Sequence, residues 1–290
     1  MDVVLTTATL TAAIRLAIPV ALAALGALVA ERSGVLNLGT EGMMLMGAYF
    51  GYAAAEVSGS PWVGLVAGIS AGGCYGALLA LFVVVGRASQ IVTGIAFTLL
   101  AGFVTTLLFQ QQYSSGQLPP RIERLDLSSL IIITLLVTAG VWFVLTRTTV
   151  GLALTATGET PVAVDALGYR VQHLRFAATV ASGSLAGLGG AALVCGPLGL
   201  FIENVTGGRG WVALALVVFA GWRPGLAVGG AVLFGLSDAV QLRLQGTDTA
   251  IPYEVFIALP YVVTLVALVL RARRSHVPSA LGIPFVRGAA

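Results

Sequence analysis

Lysine is absent from this chain of 290 residues; all fifteen basic side chains are arginine. The composition of the gene is reason enough for the lack, but it excludes one thing firmly. A phosphate-binding P-loop needs a lysine on the nucleotide's β- and γ-phosphates. The chain therefore contains no such loop, and if ATP drives it, another polypeptide hydrolyses the ATP. Charge of either sign is scarce, at 9% of residues, where a soluble chain carries about 25%. Cysteine occurs only at Cys74 and Cys195, isolated in apolar runs without CxxC spacing. They read as small packing residues, not metal ligands. Histidine occurs only at His173 and His276, both outside the apolar runs. The G-x-S-x-G pattern "GISAG" at 68–72 thus has no base beside it, which argues against an intramembrane hydrolase. Small residues at that spacing, and in "SGSLAGLGG" at 182–190, let membrane helices approach closely.

What is abundant is apolar surface. Hydrophobic residues make up 58% of the chain, and mean hydropathy is +0.98. Nine apolar runs stand out, roughly at 8–30, 36–56, 62–86, 90–112, 127–146, 176–196, 210–222, 224–243 and 253–270. Most are near the roughly 20 residues that a helix needs to cross a bilayer. The expected fold is all-α and polytopic, with about nine transmembrane helices; a β-barrel would show short alternating segments instead. The first run has no basic residues before it and continues to Ala30, unlike a cleavable signal. Placing the loop 147–175 in the cytoplasm puts ten arginines on that side, from Arg32 to Arg287. Four remain outside: Arg121, Arg124, Arg209 and Arg243. This bias predicts an outer N-terminus and a cytoplasmic C-terminus. Arg15 lies inside the first run and is expected to snorkel. The net charge of +3 calls for no nucleic-acid partner.

An internal repeat is the expected organisation of the chain. "NLGTEGMMLMGAYFG" from Asn37 matches "NVTGGRGWVALALVVFAG" from Asn204 in pattern, each passing through a Thr/Gly/charge cluster into an apolar helix. The offset is 167 at the asparagines and 168 at Gly42 and Gly210. With five spans between them, the two segments cross in opposite directions, as in an inverted-topology repeat, which places substrate at the repeat interface. Polar, Gly-rich backbone at membrane depth is tolerated only against protein or a water-filled cavity. Asn37 and Glu41 share a helix face, and a carboxylate is favoured near a helix N-terminus. Two readings stand for Glu41, lining a pathway or pairing with a cation such as Arg32; capping is the expectation for Asn37.

The longest polar interruption, 147–175, holds a short helix. Thr160 and Pro161 form its start and Gly168 its stop. The enclosed Val162, Val164, Ala166 and Leu167 need a partner surface, because so short a helix is unstable alone. The outer loop 110–126 carries a Pro-Pro turn and either receives a partner or is a solvated connection.

These segments together carry a resemblance. "ERSGVLNLGTEGMMLMGA" at 31–48 resembles the signature of inner-membrane permeases of ABC importers of the branched-chain amino acid/ribose, or simple sugar, type. It is most similar to their nucleoside branch. "TGETPVAVDALGYRV" at 157–171, "GGRGWVALALVVFAGWRPG" at 207–225 and "PSALGIPFVR" at 278–287 also match that family, in the same order along most of the chain. Thr40 and Thr160 depart from its habit, which has a larger apolar residue and Asn there. The resemblance implies a single permease domain over 1–290, with repeat halves at 1–146 and 176–270 and a cytoplasmic tail at 271–290. It implies a bacterial inner-membrane subunit that does no bond chemistry and binds no cofactor itself, ATP and Mg being held by a partner ATPase. A second permease, giving a heterodimer, and an extracytoplasmic substrate-binding protein complete the set. The ATPase-coupling element becomes Gly158, Glu159, Thr160, Pro161, Val164, Leu167 and Gly168. Candidate pathway residues are Asn37, Thr40, Glu41, Tyr49, Phe97, Gln110 and Asn204, of which the aromatics and amides suit a nucleoside. Two alternatives are kept: a secondary transporter using Glu41 as a proton or Na⁺ site, and an ABC permease for branched-chain amino acids.

Overall fold

The structure is a computed structural model and describes residues 6–113, 119–244 and 277–286, with residues 258, 260, 262, 264, 266 and 269. Among these it is helical throughout, with no strand. The helices are α1 (Thr7–Arg32), α2 (Thr40–Ser58), α3 (Pro61–Ala80), α4 (Gln90–Gln112), α5 (Leu127–Arg147), α6 (Thr149–Glu159), α7 (Pro161–Ala166), α8 (Val171–Leu193), α9 (Arg209–Ala220) and α10 (Pro224–Leu244). Single π turns extend α3 through Val85 and α8 through Leu198.

Local chemistry sets these boundaries. Thr6 and Thr9 cap α1 reciprocally. Asp126 accepts from Ser129 N at α5, and Pro61 and Pro161 take the first positions of α3 and α7. Six helices among the described residues are long and apolar enough to cross a membrane: α1, extended α3, α4, α5, extended α8 and α10. α2 has a carboxylate near each end and is not among them. α9 has 12 residues, about 18 Å of helix against the roughly 30 Å of a hydrocarbon core. The expected ninth run, 253–270, falls mostly outside the described residues.

α1 and α8 form the centre and are largely buried, with α2, α3, α9 and α10 around them. α4 and α5 lie at the periphery and present side chains such as Phe103 and Leu136 outward. Glycine makes the centre possible. A Cβ on Gly47 would stand 2.3 Å from the Gly187 backbone, and one on Gly72 2.3 Å from the Gly183 carbonyl. The two small-residue stretches, 68–72 and 182–190, therefore meet each other. Arg15 is exposed on α1.

The interruption 147–175 is more helical than expected. Beyond the short α7, it contains α6, capped by Thr148, and α8 begins at Val171, before the expected 176. The run 150–156 is apolar enough to pack back on α5, where Gly151 lies against the Val144 carbonyl.

Candidate functional site: two helix starts inside the bundle

α1 ends at Arg32, and the chain turns through Gly34 at φ +89°. Residues 35–39 then run back into the bundle, so that α2 starts beside the middle of α8. Asn37 is fully buried; its Nδ2 donates to Ser182 Oγ of α8 at 2.9 Å, and its Oδ1 accepts from Gly39 N at 3.2 Å. Thr40 Oγ1 donates to Asn37 O at 2.7 Å. The segment's polar groups are thus spent on the protein itself.

Glu41 is 4% exposed and sits on the start of another helix. Its Oε1 accepts from Thr206 Oγ1 at 2.6 Å and Gly208 N at 2.9 Å, and its Oε2 from Gly210 N at 2.5 Å. The N–H groups at the start of α9, which have no partner within the helix, are met by the carboxyl oxygens of Glu41. Gly210 is required, because a Cβ there would lie 2.5 Å from Glu41 Cα. Arg32 is not Glu41's partner; it donates to Trp222 O at 3.2 and 2.9 Å. Trp222 Nε1 in turn donates to Glu31 at 2.7 Å.

The segment before α9 descends from the opposite end. There Gly199 O accepts from Ile122 N at 2.9 Å, and Phe201 packs on Tyr49, Tyr52 and Phe109. Glu203, Asn204 and Gly207 are exposed along it, and Asn204 adopts φ +53°. Arg209, at α9's first position, pairs with Asp238 of α10 at 3.3 Å. α9 then runs to Trp222 at the Arg32 end, while α2 runs the other way.

The remaining pathway candidates fall in two places. Tyr49 OH donates to Gln112 at 3.2 Å, and Gln110 Nε2 to Glu203 at 2.9 Å. Beside them Tyr113 donates to Glu56, and burial together with that carboxylate raises the Tyr113 phenol above its ordinary range. Phe97 is apart from this group: it packs on Tyr75 and Phe82 and accepts from Tyr75 OH through its carbonyl.

At the Arg32 end, Gly158 packs so closely that a Cβ would lie 2.3 Å from Arg32 O. Glu159 accepts from Ser279 N and Oγ at 3.2 and 3.0 Å. Thr160 precedes α7 without a side-chain cap bond, and Gly168 follows it at φ +89°. α7 is divided: Val164 is buried, while Val162 is 64% and Leu167 77% exposed. Thr206, Gly208, Ser182 and Arg175 escaped the sequence reading. One signal could have found Gly208, because it is the residue that the repeat offset of 167 assigns to Glu41.

A multi-helix bundle of membrane-spanning length, with two oppositely directed helices starting inside it, defines a polytopic membrane protein. The family described as branched-chain amino acid transport system / permease component matches residues 9–270, and the chain belongs to that family. It is 38% identical, over 83% of its length and 79% of the relative's, to a Haloferax volcanii protein named as a glucose ABC transporter permease, TsgC13. It is 30% identical to the guanosine ABC transporter permease NupQ of Bacillus subtilis, over 94% of both chains. It is also 30% identical to the nucleoside ABC transporter permease NupC of Lactococcus lactis, over 93% of both. No solved structure gives a significant match.

Proposed function

We propose that the chain is the permease subunit of an ABC importer for nucleosides and forms half of their path across the membrane. The observation that carries the pathway is the exposed polar stretch of Glu203, Asn204 and Gly207. Lipid cannot solvate such groups or the irregular backbone that bears them, so this face belongs to a water-filled path or to a second permease across it. Gln110, held by Glu203, shares that wall. Asn37, Thr40 and Glu41 act behind it, fixing where α2 and α9 begin. The ligand class rests on the guanosine and nucleoside relatives, which match over nearly the whole chain. A simple sugar is the second reading, favoured by the higher identity to TsgC13.

The finer architecture is part of the same proposal. It has nine transmembrane segments, counting α2, α9 and the run 253–270, and an inverted repeat with halves at 1–146 and 176–270. Two observations support the repeat. α2 and α9 point in opposite directions, and Glu41 bonds Gly208 and Gly210, at and beside the positions 208 and 209 that the two offsets assign to it. Contact between equivalent residues is what a two-fold axis through the site would produce. The Arg32 end is cytoplasmic, with the tail there and the N-terminus outside. The element from Gly158 to Gly168 docks the ATPase, which binds ATP and Mg, chiefly through the exposed Val162 and Leu167. A binding protein delivers ligand at the opposite end, and a different permease completes the dimer. A secondary transporter is disfavoured because both oxygens of Glu41 are already taken by three donors.

The test is ATP hydrolysis and uptake by the reconstituted complex, with nucleosides, sugars and branched-chain amino acids offered in turn. Stimulation by nucleosides alone supports the proposal; stimulation by sugars moves the ligand to the second reading. Uptake without ATPase, driven by an ion gradient, sinks it. Leu167→Asp should uncouple hydrolysis from uptake. Val164→Asp is a poor probe, because it places a charge in the core.

A further inference from the structure

The described tail, 277–286, is not a loose end. Ala280 N donates to Gly158 O at 2.8 Å, beside α7, and Gly282 N donates to Gly34 O at 3.1 Å. Ser279 holds Glu159, and Leu281 packs against the main core. Arg175 of α8 locks the arrangement. Arg175 is 3% exposed, and its guanidinium bonds main-chain carbonyls of two distant segments, Nε to Ser33 O at 3.1 Å and Nη1 to Ile283 O at 2.7 Å. Carbonyls cannot neutralise a buried cation as a carboxylate would, so Arg175 depends on both segments staying in place. Phe285, farther along, lines a cavity of about 270 Å³ with Asp165 of α7 and with Arg170, just before α8.

The tail thus fills the angle between the α6–α7 junction and the corner at Ser33 and Gly34, two elements that also meet directly where Gly158 packs on Arg32 O. Seven residues after Gly34 comes Glu41, which clamps the start of α9. We propose that the tail is a coupling strap, keyed by Arg175 as a positioning residue. It carries displacement of α7 to residues 33–34 and so to the contact between α2 and α9 inside the membrane. This rests on the permease reading above and adds to it a second route beside the direct packing of Gly158 on Arg32.

Gly282 gives a clean way in. It adopts φ +78°, and a Cβ there would meet nothing within 4 Å. Substitution therefore changes the strap's backbone preference and no packing. Asparagine tolerates that conformation, alanine less, and a β-branched residue least. The measurement is ligand taken up per ATP hydrolysed, in the reconstituted full complex, for wild type, Gly282→Asn, Gly282→Ala, Gly282→Val and Arg175→Gln, with assembly checked by size-exclusion chromatography. A purely structural role would lower the amount of assembled complex and leave this ratio unchanged. We expect Gly282→Asn to match wild type and Gly282→Val to lower the ratio about fivefold, the scale of the left-handed penalty, with Arg175→Gln at least as low. If Gly282→Val does not assemble, Gly282→Ala gives the answer. An unchanged ratio in assembled Val or Ala variants overturns the strap and leaves the permease reading standing, as does an Asn variant as poor as Val. Wild-type complex without ATP-driven uptake overturns both.

Discussion

Asn37 and Asn204 are the only asparagines in the chain, and each opens a Gly-rich lead-in to an apolar helix. Their surroundings differ completely. Asn37 is fully buried and bonded to Ser182, and the segment around it has spent its polar groups on neighbouring helices. Asn204 is exposed in a left-handed conformation, between an exposed Glu203 and an exposed Gly207. The first segment anchors and the second presents. Glu41 joins them, since it belongs to the anchoring side and satisfies the donors of the presenting side. Similar sequence patterns thus serve two roles, because one packs against α8 and the other is left uncovered.

The largest break in that comparison should come from Glu41→Ala. It strands Thr206 Oγ1, Gly208 N and Gly210 N, and at about 1–3 kcal/mol for each unsatisfied donor the cost should exceed about 3 kcal/mol. Thermal unfolding in detergent would measure it, and a variant as stable as wild type would remove the anchoring role. Glu41→Gln keeps an acceptor and should fall between the two. Gly210→Ala forces the two helix starts apart and should cost about 3 kcal/mol, at the upper end of overpacking. Asn37→Ala should cost about 2 kcal/mol, as a lost buried polar contact. Asn204→Gly should leave stability within about 0.5 kcal/mol while altering uptake. Equal stability losses at Asn37 and Asn204 would erase the distinction between the segments.

The smallest effect lies outside the membrane. Asp126 caps α5 and accepts from Ser128 and Ser129, which hold its carboxyl at about 2, below the ordinary 3.8. A carboxyl depressed by folding stabilises above its unfolded value, and that contribution fades as pH falls from about 4 toward 2. Acid titration of unfolding should therefore show a slight loss in that window that Asp126→Asn lacks.

Eight of the nine expected apolar runs coincide with helices within a few residues, because length and hydropathy alone decide whether a segment is helical in a bilayer. The likeness of 37–51 to 204–221 was visible as pattern, and the short helix after Thr160 as a Pro start and Gly stop. Less visible was the helicity of 149–159, where Thr148 supplies a cap that resembles any other threonine. The partners of Glu41 were hinted at only by the repeat offset that reaches Gly208: proximity in sequence suggested Arg32, yet that guanidinium is turned to Trp222 O.

The sequence by itself determined that this is an all-helical membrane protein, where most of its helices lie, and that it carries no nucleotide-binding lysine. These follow from composition and from periodicity along the chain. Only the tertiary structure decided which polar groups meet: Glu41 with the start of α9, Asn37 with Ser182, Arg175 with Ser33 and the tail. Such pairings depend on close approaches between helices more than a hundred residues apart, permitted by glycines at Gly187 and Gly210, and no local pattern encodes which carbonyl or amide waits on the other side.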